Sequence, residues 1–268
     1  MINNIYILLN INQQLLQMKK QAFTLIELSI SLIIITMLIS VIVTGSSIIQ
    51  NAKNRQVISE YNFYRAAISN FRLQYNQFPG DFSDAYNYWP NDCSNTNCNG
   101  NGNGIIEYNG NNNDDESLRA WQHLALSEFI SGSYPGTRTV TNQNEVGNNI
   151  PSSKILSTGW SFYNKRCYTN DNINTLIFGA FRSGSINDSA AITTRDAYDI
   201  DKKMDDASAR TGSIIGLYSD DALGKYCTGS TLSNNACVQD SSQNSTKSGY
   251  YYVNVNNGRN SCALQFLF

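Results

Sequence analysis

The sequence predicts an α+β protein in which a long N-terminal α-helix, membrane-spanning in its first half and amphipathic in its second, packs on an antiparallel β-sheet with a disulfide-tied loop region. Three observations predict it. An apolar run over residues 23–43 passes into a helical stripe that lasts through Tyr75. Several short runs rich in β-branched and aromatic residues follow residue 158. All six cysteines lie beyond the apolar run.

The apolar run reads FTLIELSISLIIITMLISVIV. As a helix at about 1.5 Å per residue it measures roughly 31 Å, against a hydrocarbon core of about 30 Å. Lys19 and Lys20 precede it. The positive-inside rule keeps that end in the cytoplasm and sends the C-terminal side across. A secretory signal peptide has a shorter apolar region and a small-residue cleavage site after it; this run is longer and shows no such site. Glu27 lies early in the run, where a carboxylate is expensive and is kept for function. A cut between Ala22 and Phe23 would create an ammonium about one helical turn from Glu27. Between neighbours in a filament, Glu27 of one subunit could then pair with the Phe23 amine of another.

The segment KKQAFTLIEL, followed by a long apolar helix, resembles the prepilin cleavage motif of type IV pilins and type II secretion pseudopilins. The resemblance implies cleavage by a prepilin peptidase, N-methylation of the new terminal Phe23, and Glu27 as the assembly glutamate. Ala22 becomes the last leader residue, where the family usually has glycine; alanine is also small. The chain then divides into a leader (1–22), a transmembrane or filament-core helix (23–50) and a soluble pilin-like domain (51–268). Met18-Lys-Lys-Gln-Ala is a typical short leader by itself, so translation is expected to start at Met18, the alternative being a longer leader from Met1. Other pilin or pseudopilin subunits, an assembly ATPase and an inner-membrane platform protein are the implied partners. The implied location is the inner membrane, single-pass, with the C-terminal domain outside the cytoplasm, and then a periplasmic pseudopilus or a cell-surface pilus.

After Gly45 the helix turns polar on most sides. Val57, Tyr61, Tyr64, Ile68, Phe71 and Tyr75 form one apolar stripe, with Lys53, Arg55, Glu60, Arg65 and Arg72 at the other positions. Pro79-Gly80-Asp81 ends it. Phe78-Pro79-Gly80 again resembles the end of the pilin spine helix.

Residues 91–116 are an Asn/Gly-rich loop. Laid on an EF-hand, Asn99, Asn101 and Asn103 take the first side-chain ligand positions, Gly104 the turn and Ile105 a carbonyl ligand. The closing acid is out of place, so Glu107 and the trio Asp114, Asp115 and Glu116 would complete a candidate calcium site. The competing reading is a flexible loop pinned by Cys93–Cys98. A helix is expected over 114–131 with Leu118, Trp121, Ala125 and Phe129 buried and His123 at or near the surface.

Strands are expected over 159–168, 175–181, 213–218, 250–255 and 262–268. A capping box at Thr193–Asp196 opens a short helix that Asp205 and Asp206 end, with Ala197, Ile200 and Met204 inward; the two aspartates are a second metal candidate. Secretin-associated pilin-like proteins resemble this stretch but usually carry glycine where Ala207 stands. An exported domain places its cysteines in an oxidising compartment. The expected bridges are Cys93–Cys98, Cys227–Cys237 and Cys167–Cys262. A zinc site is the rival reading, but there is no CxxC pair and His123 is the only histidine.

A net charge of −2 gives no reason to expect nucleic acid as a partner. No GxSxG, HExxH, P-loop or dinucleotide fingerprint occurs, so no enzyme is expected. The expected function is a structural pilus or pseudopilus subunit. The alternative is a minor pilin acting as an exported adhesive or ligand-binding module.

Overall fold

The structure is a computed structural model that describes residues 24–93, 98–110, 115–138, 143–169, 171–218, 237–240, 249–251 and 260–268. Ala22, Phe23, Asp114, Cys227 and the expected strand beyond Tyr251 lie outside the described residues. The chain divides into two compact units, Met1–Ile49 and Gln50–Phe268.

Helix α1 spans Leu25–Tyr75, and Gly45 does not interrupt it. In the first unit its large apolar side chains, including Leu25, Leu32, Ile39 and Ile49, are exposed. It is the one helix among the described residues long and apolar enough to cross a membrane.

In the second unit the predicted stripe faces inward. Val57, Tyr61, Tyr64, Ile68 and Phe71 are buried, while Tyr75 is half-buried. They meet a five-stranded antiparallel sheet built from β1 (Thr158–Lys165), β2 (Asn172–Ala180), β3 (Ile192–Thr193), β4 (Ile214–Tyr218) and β7 (Asn260–Leu267). Strand β7 is the hub. It pairs with β2 at Leu264–Leu267, with β3 at Cys262 and with β4 from Cys262 to Phe266. Strands β5 (Val238–Asp240) and β6 (Gly249–Tyr251) form a separate two-stranded ribbon.

Alternation along the strands divides the side chains between the two faces. Trp160, Phe162, Leu176, Phe178, Leu264 and Phe266 join the stripe of α1. Tyr163, Ile177, Ile215, Leu217 and Ala263 make a second cluster with Cys167 and Ile186. Tyr61 stacks on Phe266 at 4.5 Å, and Trp121 meets Tyr64 at 5.0 Å and Phe162 at 4.5 Å. Burying each such ring contributes roughly 1.5–3 kcal/mol.

Several expectations need correction. Glu60 is not on the solvent face of α1: it is buried, and its carboxylate accepts from the indole nitrogen of Trp160 (2.8 Å) and the backbone of Lys154 (2.8 Å). Helix periodicity alone could not find this, because the pairing partners lie about a hundred residues away. Helix α2 is a single turn, Ala85–Tyr88, and α3 covers only Glu116–Leu126. It buries Leu118, Trp121 and Leu124, while Ala125 and Phe129 are half-buried. Cys93 bonds Cys98, but Cys262 bonds Cys237, which replaces both Cys167–Cys262 and Cys227–Cys237. Cys262 lies on the helix-facing side of β7 while Cys167 sits in the second cluster, so the predicted pair falls on opposite faces. Cys167 is also disulfide-bonded.

Helix α4 (Thr194–Met204) opens as predicted: Thr193 accepts from the backbone of Asp196 (3.2 Å). Ala197 and Ile200 are buried, while Met204 is half-buried. Asp196 in turn takes Asn54 (3.0 Å) and Gln50 from α1, tying α4 to the spine. Just past the helix, Ala207 holds φ at 62°, in the left-handed region that a side chain disfavours. Ala207→Gly is therefore expected to stabilise the domain by about 0.5–1 kcal/mol, the relief of strain exceeding the added chain entropy. Urea denaturation checks it; a destabilised variant would contradict it.

Candidate functional site

Thr24 and Glu27 form a reciprocal cap at the start of α1. The Glu27 carboxylate accepts from the Thr24 backbone (2.8 Å) and hydroxyl (2.9 Å), and the Glu27 backbone donates to the Thr24 hydroxyl (3.2 Å). The T-x-x-E spacing is a capping box. The segment FTLIE carries that spacing in the sequence. The cap satisfies the otherwise orphaned amides of the first helical turn and fixes the carboxylate there. Both residues are exposed, so the carboxylate stays accessible to a second chain.

The motif comparison turns on this segment. Residues 17–43 match the family described as "Prokaryotic N-terminal methylation motif". The chain carries the type IV pilin and pseudopilin signature. The match takes in Ala22, Phe23, Thr24 and Glu27 as well as most of the apolar run. It stops before the sheet; beyond it the chain has the second part of a long helix against an antiparallel sheet, with a disulfide-closed loop. The motif indicates a structural subunit and implies peptidase processing and assembly with other pilins. No curated protein and no solved structure matches the chain.

The Asn/Gly loop is the second site. Its scaffold is the Phe78-Pro79-Gly80-Asp81 turn, packed against the N-terminus of α3. Gly80 has φ 86°, and a Cβ there would lie 2.3 Å from the Glu116 carbonyl oxygen, so only glycine fits. His123, expected near the surface, is fully buried beneath this turn. Its Nδ1 accepts from the Gly80 backbone (2.9 Å), so its Nε2 carries the proton and donates to the Cys98 carbonyl (2.8 Å). Phe71 stacks against the ring at 6.1 Å and Trp89 lies tilted at 5.7 Å. Burial pushes the His123 pKa down to about 4. The ring is a bracket between the turn and the disulfide loop.

Of the predicted ligands, the structure brings some together and diverts others. Asp81, not foreseen, accepts from the backbones of Asn103 (3.0 Å) and Gly104 (2.7 Å). Glu116 accepts from the backbones of Asn101 (2.8 Å) and Glu107 (3.1 Å). Glu107 takes the side-chain amides of Asn101 (2.9 Å) and Asn103 (3.2 Å). Asn101 and Asn103 oxygens each accept from the backbone two residues on, at 2.9 and 2.8 Å. Asn99 instead accepts from Tyr86 (2.8 Å), and the Ile105 backbone donates to Asn103. Asp115 is taken out of the set altogether: it caps α3, accepts from Gly110 (3.1 Å), and forms a buried ion pair with Arg138.

Burial pushes the Glu116 pKa up to about 7, and the nearby carboxylates of Asp81 and Glu107 add to the rise. Burial likewise raises Asp81. A carboxyl raised on folding favours the native state most fully below about pH 4.5, its unfolded range, and that contribution is lost as pH rises through about 7.

A third cluster lies at the end of α4. Asp201, Asp205 and Asp206 each bring a carboxylate oxygen within 4.8 Å of the others, the one such acidic group among the described residues. Asp201 accepts from Tyr251 (2.8 Å) and Ala207 (3.0 Å), Asp205 from Ile214 (3.0 Å), and Asp206 from Ser208 (2.8 Å). Burial raises Asp201 to about 7. Asp205 is the C-cap of α4 and Asp206 follows it, with Asp201 as the buried member of the cluster.

Proposed function

We propose that the protein is a prepilin-type structural subunit of a type IV pilus or type II secretion pseudopilus, cut between Ala22 and Phe23 and assembled through its N-terminal helix. One observation carries the reading: Glu27 sits at the capped start of an apolar helix, inside the matched methylation motif. In the membrane its carboxylate has the Thr24 amide and hydroxyl of its own chain as partners. In a filament it faces the Phe23 ammonium of the next subunit. A prepilin peptidase makes that ammonium, and an assembly ATPase and inner-membrane platform protein lift the subunit, its soluble domain outside the cytoplasm. The test is composition: sheared filaments or a purified pseudopilus should contain this chain in amounts set by its role. Its absence from both, with the protein abundant in the membrane, would leave a tethered exported module.

We also propose that the Asn/Gly loop binds calcium. Three carboxylates, Asp81, Glu107 and Glu116, surround it and repel one another, and Asn101 and Asn103 supply neutral oxygens of the kind calcium accepts. Calcium should raise the melting temperature of the soluble domain, and more so at pH 8 than at pH 5, where Glu116 holds a proton. Unchanged melting with calcium and with chelator at both pH values would remove the metal.

A further inference from the structure

An asparagine followed by glycine is open to self-modification, because the glycine amide can reach the preceding side chain unhindered. The described residues hold four such pairs: Asn99–Gly100, Asn101–Gly102, Asn103–Gly104 and Asn109–Gly110. In deamidation the glycine nitrogen gives up its proton and attacks the asparagine Cγ. The new N–Cγ bond closes a succinimide, the Cγ–Nδ2 bond breaks, and the amide leaves as ammonia carrying a proton. Water then opens the ring to aspartate or isoaspartate.

Each of the four glycine amides is already donated elsewhere. Gly100 donates to the Phe82 carbonyl (2.8 Å), Gly102 to the Asp81 carbonyl (3.1 Å), Gly104 to the Asp81 carboxylate (2.7 Å) and Gly110 to the Asp115 carboxylate (3.1 Å). The leaving amides of Asn101 and Asn103 are both held by Glu107. To cyclise, Asn103 must leave Glu107 while Gly104 turns away from a buried carboxylate. Gly102 and Gly104 also hold φ at 74° and 90°, so the backbone is committed to this path.

We propose that residues 99–110 are a latent deamidation site held shut by Asp81, Glu107 and Asp115, in which Asn101 and Asn103 convert once that frame opens. Each conversion adds a negative charge beside Asp81, Glu107 and Glu116. The opened frame then does not re-form, and the modification is one-way.

The experiment follows deamidation of the full-length chain in detergent by peptide mass mapping, in warm, mildly alkaline buffer with chelator. Native protein is compared with the reduced, urea-unfolded chain. Asn101 and Asn103 should convert at least about tenfold more slowly in the native chain, which corresponds to an opening free energy of about 1.4 kcal/mol or more. Equal rates would overturn the proposal. Asp81→Ala should speed Asn103 towards the unfolded rate while Asn109, whose following Gly110 amide is held by Asp115, keeps its native rate; an unchanged Asn103 in that variant also overturns it. Should Asp81→Ala speed all four pairs alike, Glu107→Ala at the half-buried Glu107 decides. Faster conversion of Asn101 and Asn103 alone supports the frame, and no change contradicts it.

Discussion

Glu27→Ala is expected to leave cleavage before Phe23 intact and to abolish incorporation into filaments. The proposed cut is at the Ala22–Phe23 bond, which the substitution does not touch. Assembly is different. In the packed apolar core of a filament the Phe23 ammonium would lose its carboxylate, and removing one partner of a buried ion pair costs about 3–5 kcal/mol. At about 1.4 kcal/mol per factor of ten, that is a loss of more than a hundredfold in subunit affinity. The Thr24 cap sharpens the expectation, because the alanine variant also frees the Thr24 amide and frays the first turn of α1. Filament shearing followed by immunoblotting, with the membrane fraction as control for processing, measures both outcomes. Normal incorporation of the variant would remove the pairing.

His123→Leu should destabilise the Gln50–Phe268 unit by about 3–5 kcal/mol. The substitution roughly keeps the volume of a core position but leaves the Gly80 amide and the Cys98 carbonyl buried without a partner, each at about 1–3 kcal/mol. Lost ring contacts with Phe71 and Trp89 add to this. The pH dependence gives a second signature. Folding lowers the His123 pKa from 6.5 to about 4, so the unfolded chain binds the extra proton between those values. The His123 contribution is therefore full above pH 6.5 and is lost as pH falls towards 4. The difference between wild type and variant should shrink over that range in urea denaturation. A loss below about 1 kcal/mol at neutral pH would show that the bracket carries nothing.

Much of the fold was legible because its signals are local. The apolar run, the stripe from Val57 to Phe71, the acidic start of α3 and the Thr193 cap each depend on residues within a turn or two of one another. The misses share the opposite character. Glu60 reads as a surface acid until Trp160 and Lys154 arrive from the sheet. A lone histidine on a mixed helix face gives no hint that Gly80 and Cys98 will close over it. The Cys237–Cys262 pairing follows from Cys262 facing the helix side of β7, where Cys237 also packs, and spacing does not contain that information. The short strands β3 and β5 have too few residues to show alternation. In the loop, spacing found Asn101, Asn103, Glu107 and Glu116, but it missed Asp81, which precedes the loop in sequence and anchors it in space.

The glutamate reading depends on an amino group that only proteolysis can create. Mass spectrometry of the membrane-extracted protein reads its first residue and any methyl group on it directly. A mature chain that begins at N-methylated Phe23 is expected, whichever methionine starts translation. A chain that still carries Lys19, Lys20 and Ala22 would contradict the filament function, because Glu27 would then have no ammonium to meet.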